Sequence, residues 1–328
     1  VVTGICTATS FSGSGEGLTR TTQLSHRNMI INGAMQVAQR STSTTSSSGY
    51  GSVDRIIFDY GGIAAHIPQA QVDVSSGTTP YTLGFRKAFR MTNGNQTSGA
   101  GTLDRVCIIY NVEAQDLATS GWDYTSSSSF ITMQFWVKAS VAQNYYVLLR
   151  SRDGTERGYV FETGSLTANT WTKIVKTIPG NTSPTIQIDN DTGGGLQIEW
   201  QMFRGTDKTG SVTLNQWATF DGSARVPDMT STWYTTNDAT FEITGVQLEV
   251  GSVATDFEHR SFGQELALCQ RYYYVIADGS ELADQHIGNG FGWSSSQVEC
   301  KNNTSLYFLL SLRNRKAESS CFTIWSGT

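Results

Sequence analysis

The sequence predicts an all-β protein: an antiparallel jelly-roll sandwich with an N-terminal stalk segment, a short helix and a small C-terminal β domain. Three observations carry this. Apolar–polar alternations arrive roughly every ten to twenty residues up to Val250, with almost no helical period between them. Charged residues are only 16% of the chain, against 33 Gly and 11% aromatics, a balance that suits an all-β extracellular or particle-borne protein. Finally, the stretch Phe241 to Tyr274 changes from a strand period to a helical one, so the strand that closes one domain runs into the helix that opens another.

Residues 1–27 read as a connector, with Ile5, Ala8 and Phe11 isolated among Thr, Ser and Gly. Such a segment has too little apolar surface to fold alone and is expected to pair with copies of itself about a symmetry axis. Its Gly13-Ser14-Gly15-Glu16-Gly17 cluster lacks phosphate-loop spacing and is a turn. Asn28 to Arg40 is expected to form a strand or two, turning at Asn32-Gly33, and Ser41 to Ser48 a solvated loop. Val53–Tyr60 begins the next strand. Further strands are expected over Arg86–Met91, Arg105–Tyr110, Phe130–Lys138, Tyr145–Arg150 and Tyr159–Glu162. Thr172–Ile178, Thr185–Asp189, Leu196–Phe203 and Thr240–Val250 complete the set. The face Leu196, Ile198, Trp200 and Met202 alternates with Gln197, Glu199 and Gln201; Ile131, Met133, Phe135 and Val137 form another. Nine or ten strands between residues 28 and 250 fit a two-sheet jelly roll.

Within the last strand, Phe241 and Ile243 alternate with Glu242 and Thr244. At Gly245 the phase slips, and Val246, Leu248 and Val250 continue the apolar face. A one-residue slip at a Gly is the pattern of a β-bulge. Ser261 then caps a helix, with Gln264 completing a capping box, Glu265 in the first turn, and Leu266, Cys269 and Tyr273 on one face. Strand patterns return in YYYVIADG, SLYFLLSL and CFTIW. The expected domains are thus 1–27, 28–260 and 261–328. About 55 residues after the helix are too few to bury a core alone, so packing against sister copies is expected there.

The net charge of −5 argues against nucleic-acid binding through a basic surface. No run approaches about 18 apolar residues, so membrane insertion is not expected. Five widely spaced cysteines, Cys6, Cys107, Cys269, Cys300 and Cys321, make neither a disulfide framework nor a zinc site and read as buried free thiols. No secretory leader is expected, and the initial Val1 suggests a piece of a longer chain or a processed one.

The pair NMIINGAMQVAQR near the start and FEITGVQLEVGSVATDFEHRSFGQELALCQRYY near the end resembles tail-fibre and related virion proteins of tailed bacteriophages, many of them from marine phages, including those that infect cyanobacteria. Between them, FITMQFWVKAS, TWTKIVKTIPG and IQIDNDTGGGLQIEWQMF look like the jelly roll of carbohydrate-binding modules. The leading GICTATSFSGSGEGLT is similar to short repeats of fibre stalks. The resemblance covers about residues 28–274. It implies a non-enzymatic, homotrimeric fibre component of the virion, assembled in the host cytoplasm. Such a component would adsorb to a host cell-surface glycan and join other virion proteins through its N-terminal side.

No catalytic motif is present: there is no G-x-S-x-G, no H-E-x-x-H and no Walker loop. His26, His66, His259 and His286 stand without ligand spacing, and His259 is expected to make packing or capping contacts. Paired carboxylates for glycoside cleavage would have to come from residues such as Asp59, Glu162, Glu199 and Asp221, which carry no distinguishing context. Asp189-Asn190-Asp191 resembles half of a calcium loop but lacks a terminal Glu, and it reads as a polar hairpin followed by Gly193-Gly194-Gly195. Carbohydrate-binding jelly rolls often hold a calcium where first and last strands meet, which would bring Asn32 near Glu249. No cofactor or metal is assigned. For glycan binding, an aromatic platform is needed on which the apolar face of a sugar stacks. Trp136, Trp171 and Trp200 lie within strand patterns and read as core. Trp122 and Tyr124, in a Ser/Gly-rich loop, and Trp217, Trp233 and Tyr234, before the last strand, are the candidate glycan-binding residues. The alternative for each is an aromatic that anchors its loop to the sandwich or to a neighbouring subunit.

Overall fold

The two longest strands, each of eleven residues, lie at the centre of two facing sheets. A computed structural model describes residues 26–45 and 48–274, together with the backbone of a hairpin formed by Phe291–Ser294 and Gln297–Cys300. The expected stalk, and the small C-terminal β domain apart from that hairpin, lie outside the described residues.

The first sheet is built from β1 (Ser43–Thr44), β3 (Gln69–Asp73), β4 (Lys87–Thr92), β12 (Thr240–Val250), β6 (Phe130–Ala139) and β9 (Thr172–Pro179), in that spatial order. The second comprises β11 (Trp217–Thr219), β8 (Arg157–Ser165), β7 (Asn144–Ser151), β10 (Gly194–Arg204), β5 (Arg105–Glu113) and β2 (Ile57–Gly61). Every pairing within these sheets is antiparallel. The fold is an all-β jelly-roll sandwich.

Its core is the set of inward-facing residues that alternation identifies. Ile131, Met133, Phe135 and Val137 of β6 meet Leu196, Ile198, Trp200 and Met202 of β10, and all are fully buried. Phe135 and Trp200 bridge the sheets edge-to-face, with ring centres 5.8 Å apart. Each such side chain contributes about 1.5–3 kcal/mol through removal from water. The slip at Gly245 is a bulge: register between β12 and β6 shifts between Thr244 and Gln247. Gly245 has φ +62, and an added Cβ would stand 2.7 Å from Phe85 Cζ, so both the conformation and the space call for glycine.

Asn28–Arg40 forms no strand. Its backbone is satisfied by side chains instead of a ladder: Asn28 Oδ1 accepts from Ile30 N (2.9 Å) and Leu248 N (3.0 Å), and Asn32 Oδ1 accepts from Val37 N (2.9 Å). Two backbone bonds, Met29 N to Leu248 O and Val246 N to Gly33 O, both 2.9 Å, tie the segment to β12. Thr185–Asp189 is likewise not a strand. Ile186 and Ile188 plug the core from an irregular segment, and Asp189 N donates to Asp153 Oδ2 (2.9 Å) where a ladder bond would be. Ser41–Ser48 is not wholly loop, because Ser43 and Thr44 pair with Ala70 and Gln69 at the sheet edge.

The polar side of β12 is also buried. Glu242, Thr244, Gln247 and Glu249 are each 1% exposed or less. The chain after β12 doubles back over this outer face: Thr255 N and Oγ1 donate to Glu249 (2.9 and 2.6 Å), and Glu258 N donates to Gln247 Oε1 (2.8 Å). Four short helices are described: α1 (Thr79–Thr82), α2 (Ala114–Ala118), α3 (Thr232–Thr235) and α4 (Phe262–Gln270). In α4 the capping box forms as expected, Ser261 Oγ accepting from Gln264 N and Gln264 Oε1 from Ser261 N. Cys269 is buried, and Leu266 and Tyr273 are half-buried. Among the described residues no helix is long and apolar enough to cross a membrane.

Candidate functional site

Four of the five aromatics expected to carry a glycan are buried. Trp122 (3% exposed) directs its indole N–H to Ser129 O at 3.4 Å, and Trp217 (5%) to Pro179 O at 2.7 Å. Trp233 is enclosed, donating to Thr240 O at 3.1 Å, and Tyr234 donates to Asp104 Oδ2 at 2.9 Å while stacking on Phe203 at 4.6 Å. Tyr124 is half-buried, packs on the main core and donates to Ile188 O at 3.3 Å. These rings hold irregular loops to the sandwich: each buries its plane and satisfies its polar tip on a backbone carbonyl or carboxylate. With no open ring face, Trp122, Trp217, Trp233 and Tyr234 are anchors and not a sugar platform.

The aromatic surface lies instead on the outer face of the first sheet. Along β6, Thr132, Gln134, Trp136 and Lys138 point away from the core, opposite Ile131, Met133, Phe135 and Val137. The same parity in β9 turns Lys173 and Val175 outward, and both are exposed. Trp136 and Trp171 are half-buried and pack on a satellite cluster of Ala34, Val74, Phe85 and Ala88. Of the three tryptophans expected in the core, Trp200 is there and Trp136 and Trp171 are not. Phe257 and His259 complete the cluster, at 4.8 and 5.1 Å from the Phe85 ring, and His259 Nε2 bonds Leu83 O at 2.8 Å. His259 has the packing role expected of it.

Strand register sets the chemistry around the indoles. Glu242 lies opposite Arg90 of β4 on one side and Lys138 of β6 on the other. Arg90 Nε donates to Glu242 Oε1 at 2.8 Å and its Nη2 lies 2.7 Å from the same atom. Lys138 Nζ is 2.9 Å from Glu242 Oε2, off the hydrogen-bonding direction, so this contact is chiefly Coulombic. The same ammonium stands 5.1 Å from the centre of the Trp171 ring, within cation–π range. The result is a row across the sheet of Ala70, Arg90, Glu242 and Lys138, ending beside Trp171. A second row holds Thr244, Trp136 and Lys173. Packing locks the two indoles in place before any ligand arrives, which lowers the entropic cost of stacking a ring on them.

No protein-family model matches the chain, and no curated protein sequence matches it. Among solved structures, the chain is similar to the enzymatically active domain of tailspike protein 4 of bacteriophage CBA120, at 10% identity and TM-score 0.34. That match covers 68% of this chain and 21% of the tailspike, so the chain spans about a fifth of its length. The chain is also similar to the N-terminal cellulose-binding domain of Cellulomonas fimi β-1,4-glucanase C, at 12% identity and TM-score 0.28, covering 67% of this chain and 99% of that one. A third is the family 11 carbohydrate-binding module of the Clostridium thermocellum cellulase Lic26A-Cel5E, at 11% identity and TM-score 0.29, covering 64% and 95%.

The carboxylates considered for glycoside cleavage each serve a structural partner. Asp59 takes two bonds from Arg105, at 2.7 and 3.2 Å. Glu199 is fully buried between Arg225 and Arg204, with Gln201 Nε2 donating at 2.7 Å. Glu162 accepts from Asn144 Nδ2 at 2.8 Å. Asp221 caps a turn through Ser223 Oγ and N, and these bonds hold its pKa below the ordinary carboxylate value. Asp191 accepts from Gly193 N at 2.7 Å in a polar bend that leads into β10; with no strand over Thr185–Asp189, the expected hairpin does not form. Asn32 and Glu249 belong to separate hydrogen-bond sets, and among the described residues no three His, Cys, Asp or Glu cluster as a metal site would need. Cys107 and Cys269 are buried and unbridged, and burial pushes both thiols up.

Proposed function

We propose that this chain is a non-enzymatic fibre component of a bacteriophage virion, a tail fibre that contributes to host attachment by binding surface glycan. The observation that carries the glycan reading is the pair of half-buried indoles, Trp136 and Trp171, on the outer sheet face beside Lys138, Arg90 and Glu242. Sugar recognition needs this combination: a rigid apolar plane for the ring and charged or hydroxylated groups at its margin for the substituents. The virion reading, and with it a homotrimer whose N-terminal side joins other virion proteins, rests on the resemblance of the two framing segments to tail-fibre proteins noted from the sequence. The structural duties of Asp59, Glu162, Glu199 and Asp221 favour binding over cleavage. Three copies of a modest site on one fibre gain avidity without any single strong pocket.

The test is retention of the purified full chain on polysaccharide extracted from candidate hosts, with Trp136→Ala and Trp171→Ala beside it. Retention that both variants weaken is expected. Shortening of the polymer would instead mark a depolymerase. Failure to bind, with gold-labelled antibody decorating the head or collar, would mark an architectural fibre. Light scattering is expected to show a trimer for the full chain and a smaller species for a chain ending at residue 260.

A further inference from the structure

We infer that the indole face takes an acidic polysaccharide, one whose sugar rings carry carboxylates; this rests on the glycan-binding reading and specifies its ligand. Arg90 of β4 and Lys138 of β6, on either side of Glu242 of β12, and Lys173 of β9, opposite Trp136 in the neighbouring row, direct cations to this outer face. The acidic group in their two rows is Glu242, whose side chain is 2% exposed. Arg90 and Lys138 lie over it, one on each carboxylate oxygen, while their own side chains are 36% and 20% exposed. Lys173 is exposed beyond Trp136. One buried carboxylate against three cations leaves two formal positive charges facing water.

That sign is opposite to the chain's as a whole, which is −5. A local excess of cations on an acidic protein concentrates anionic ligands and repels its own kind. A neutral glycan stacked on Trp136 and Trp171 would strip water from Lys138 and Lys173 and return no opposite charge. A carboxylated one returns it. The Glu242 carboxylate, already seated between Arg90 and Lys138 at 2.7 and 2.9 Å, shows that these two side chains hold that group. From β4 to β9 the face crosses three strand spacings, about 14 Å, room for a short run of sugars and not for a single ring.

The experiment is native affinity electrophoresis of the full chain in gels containing polygalacturonate, alginate, methyl-esterified polygalacturonate or dextran sulfate. Retardation by polygalacturonate or alginate is expected, and its loss on esterification, which removes the charge and keeps the ring. Lys173→Glu, at an exposed position that leaves the fold intact, should weaken binding at least about tenfold, and raising salt should do the same to the parent protein. Equal retardation by the acid and its ester, or binding to dextran sulfate alone, overturns the inference, as does no retardation by either carboxylated polymer. If retention on host polysaccharide depends on Trp171 but not on Lys173, the charge inference fails and the glycan reading stands. If that retention is indifferent to Trp136 and Trp171, the glycan reading of this face fails with it.

Discussion

The guanidinium carbon of Arg55 lies 3.5 Å from the centre of the Tyr272 ring and 5.2 Å from that of Tyr110. Arg40 stands in the same relation to Tyr273, at 3.6 Å, and Gln39 Nε2 donates to Tyr273 O at 2.9 Å. The residues after α4 are thus fastened to the sandwich by stacked cations more than by apolar burial. Tyr272→Leu, which keeps bulk and removes the ring, should cost about 1–2 kcal/mol in urea unfolding. Hydrogen exchange should show protection lost across residues 262–274 and retained in β10 and β12; unchanged protection in the helix would contradict this account.

Gly33 faces β12 at a distance no side chain tolerates: an added Cβ would lie 2.1 Å from Val246 O. That carbonyl also accepts from Asn28 Nδ2, and Val246 N donates to Gly33 O. Gly33→Ala should push the 28–37 segment off the strand and cost about 2–4 kcal/mol. A denaturation midpoint equal to the parent's would show that the segment relaxes freely.

Where strands are half-buried, alternation places them to within a few residues. β12, its bulge at Gly245, β6, β10 and the capping box of α4 all carry their pattern in neighbouring residues. Asn28–Arg40 departs from the expected strands because Asn28 and Asn32 replace ladder partners with their own side-chain amides, a substitution that leaves no periodic trace. Burial of the polar side of β12 was equally hidden, since what covers it is a later segment of irregular chain. The loop tryptophans failed as a platform for a related reason: whether a loop ring turns inward depends on a carbonyl elsewhere, such as Pro179 O for Trp217. Trp136 differs. Its outward direction follows from the parity of Ile131, Met133, Phe135 and Val137, whereas a place within a strand, the ground for expecting it in the core, does not distinguish the two faces.

Glu199 is fully buried in the outer layer of the second sheet, between Arg204 and Arg225. Arg225 lies in the chain following β11, which folds across β7 and β8 and buries Val226 against Leu148 and Val160. Glu199→Ala leaves two guanidinium groups facing each other without a counter-charge and should cost about 3–5 kcal/mol. Arg225→Ala, at a more exposed position, should cost less and release the crossing segment. Limited proteolysis of Arg225→Ala is expected to cut between residues 206 and 230 well before the parent is cut there. Equal rates would mean that the apolar contacts of Val226 hold the segment alone.

Alkaline pH should unfold the sandwich through its buried phenols. Burial raises Tyr110, Tyr145 and Tyr159 above the ordinary value of 10.0, Tyr159 to about 12, and burial together with the bond to Asp104 raises Tyr234. The charged form of tyrosine is the deprotonated one, so the folded state keeps protons that the unfolded state has released. The unfolded state then binds fewer protons, and the slope of unfolding free energy with pH is negative. The stabilisation is fully present below about pH 10 and is lost as pH rises through the folded values, by up to about 1.4 kcal/mol per pH unit for each phenol. Urea midpoints should therefore hold level up to about pH 9 and fall steeply above about pH 10, with phenolate absorbance appearing in step with unfolding. Phenolate absorbance from these tyrosines at their ordinary value, in a chain that remains folded, would show that water reaches rings the structure encloses.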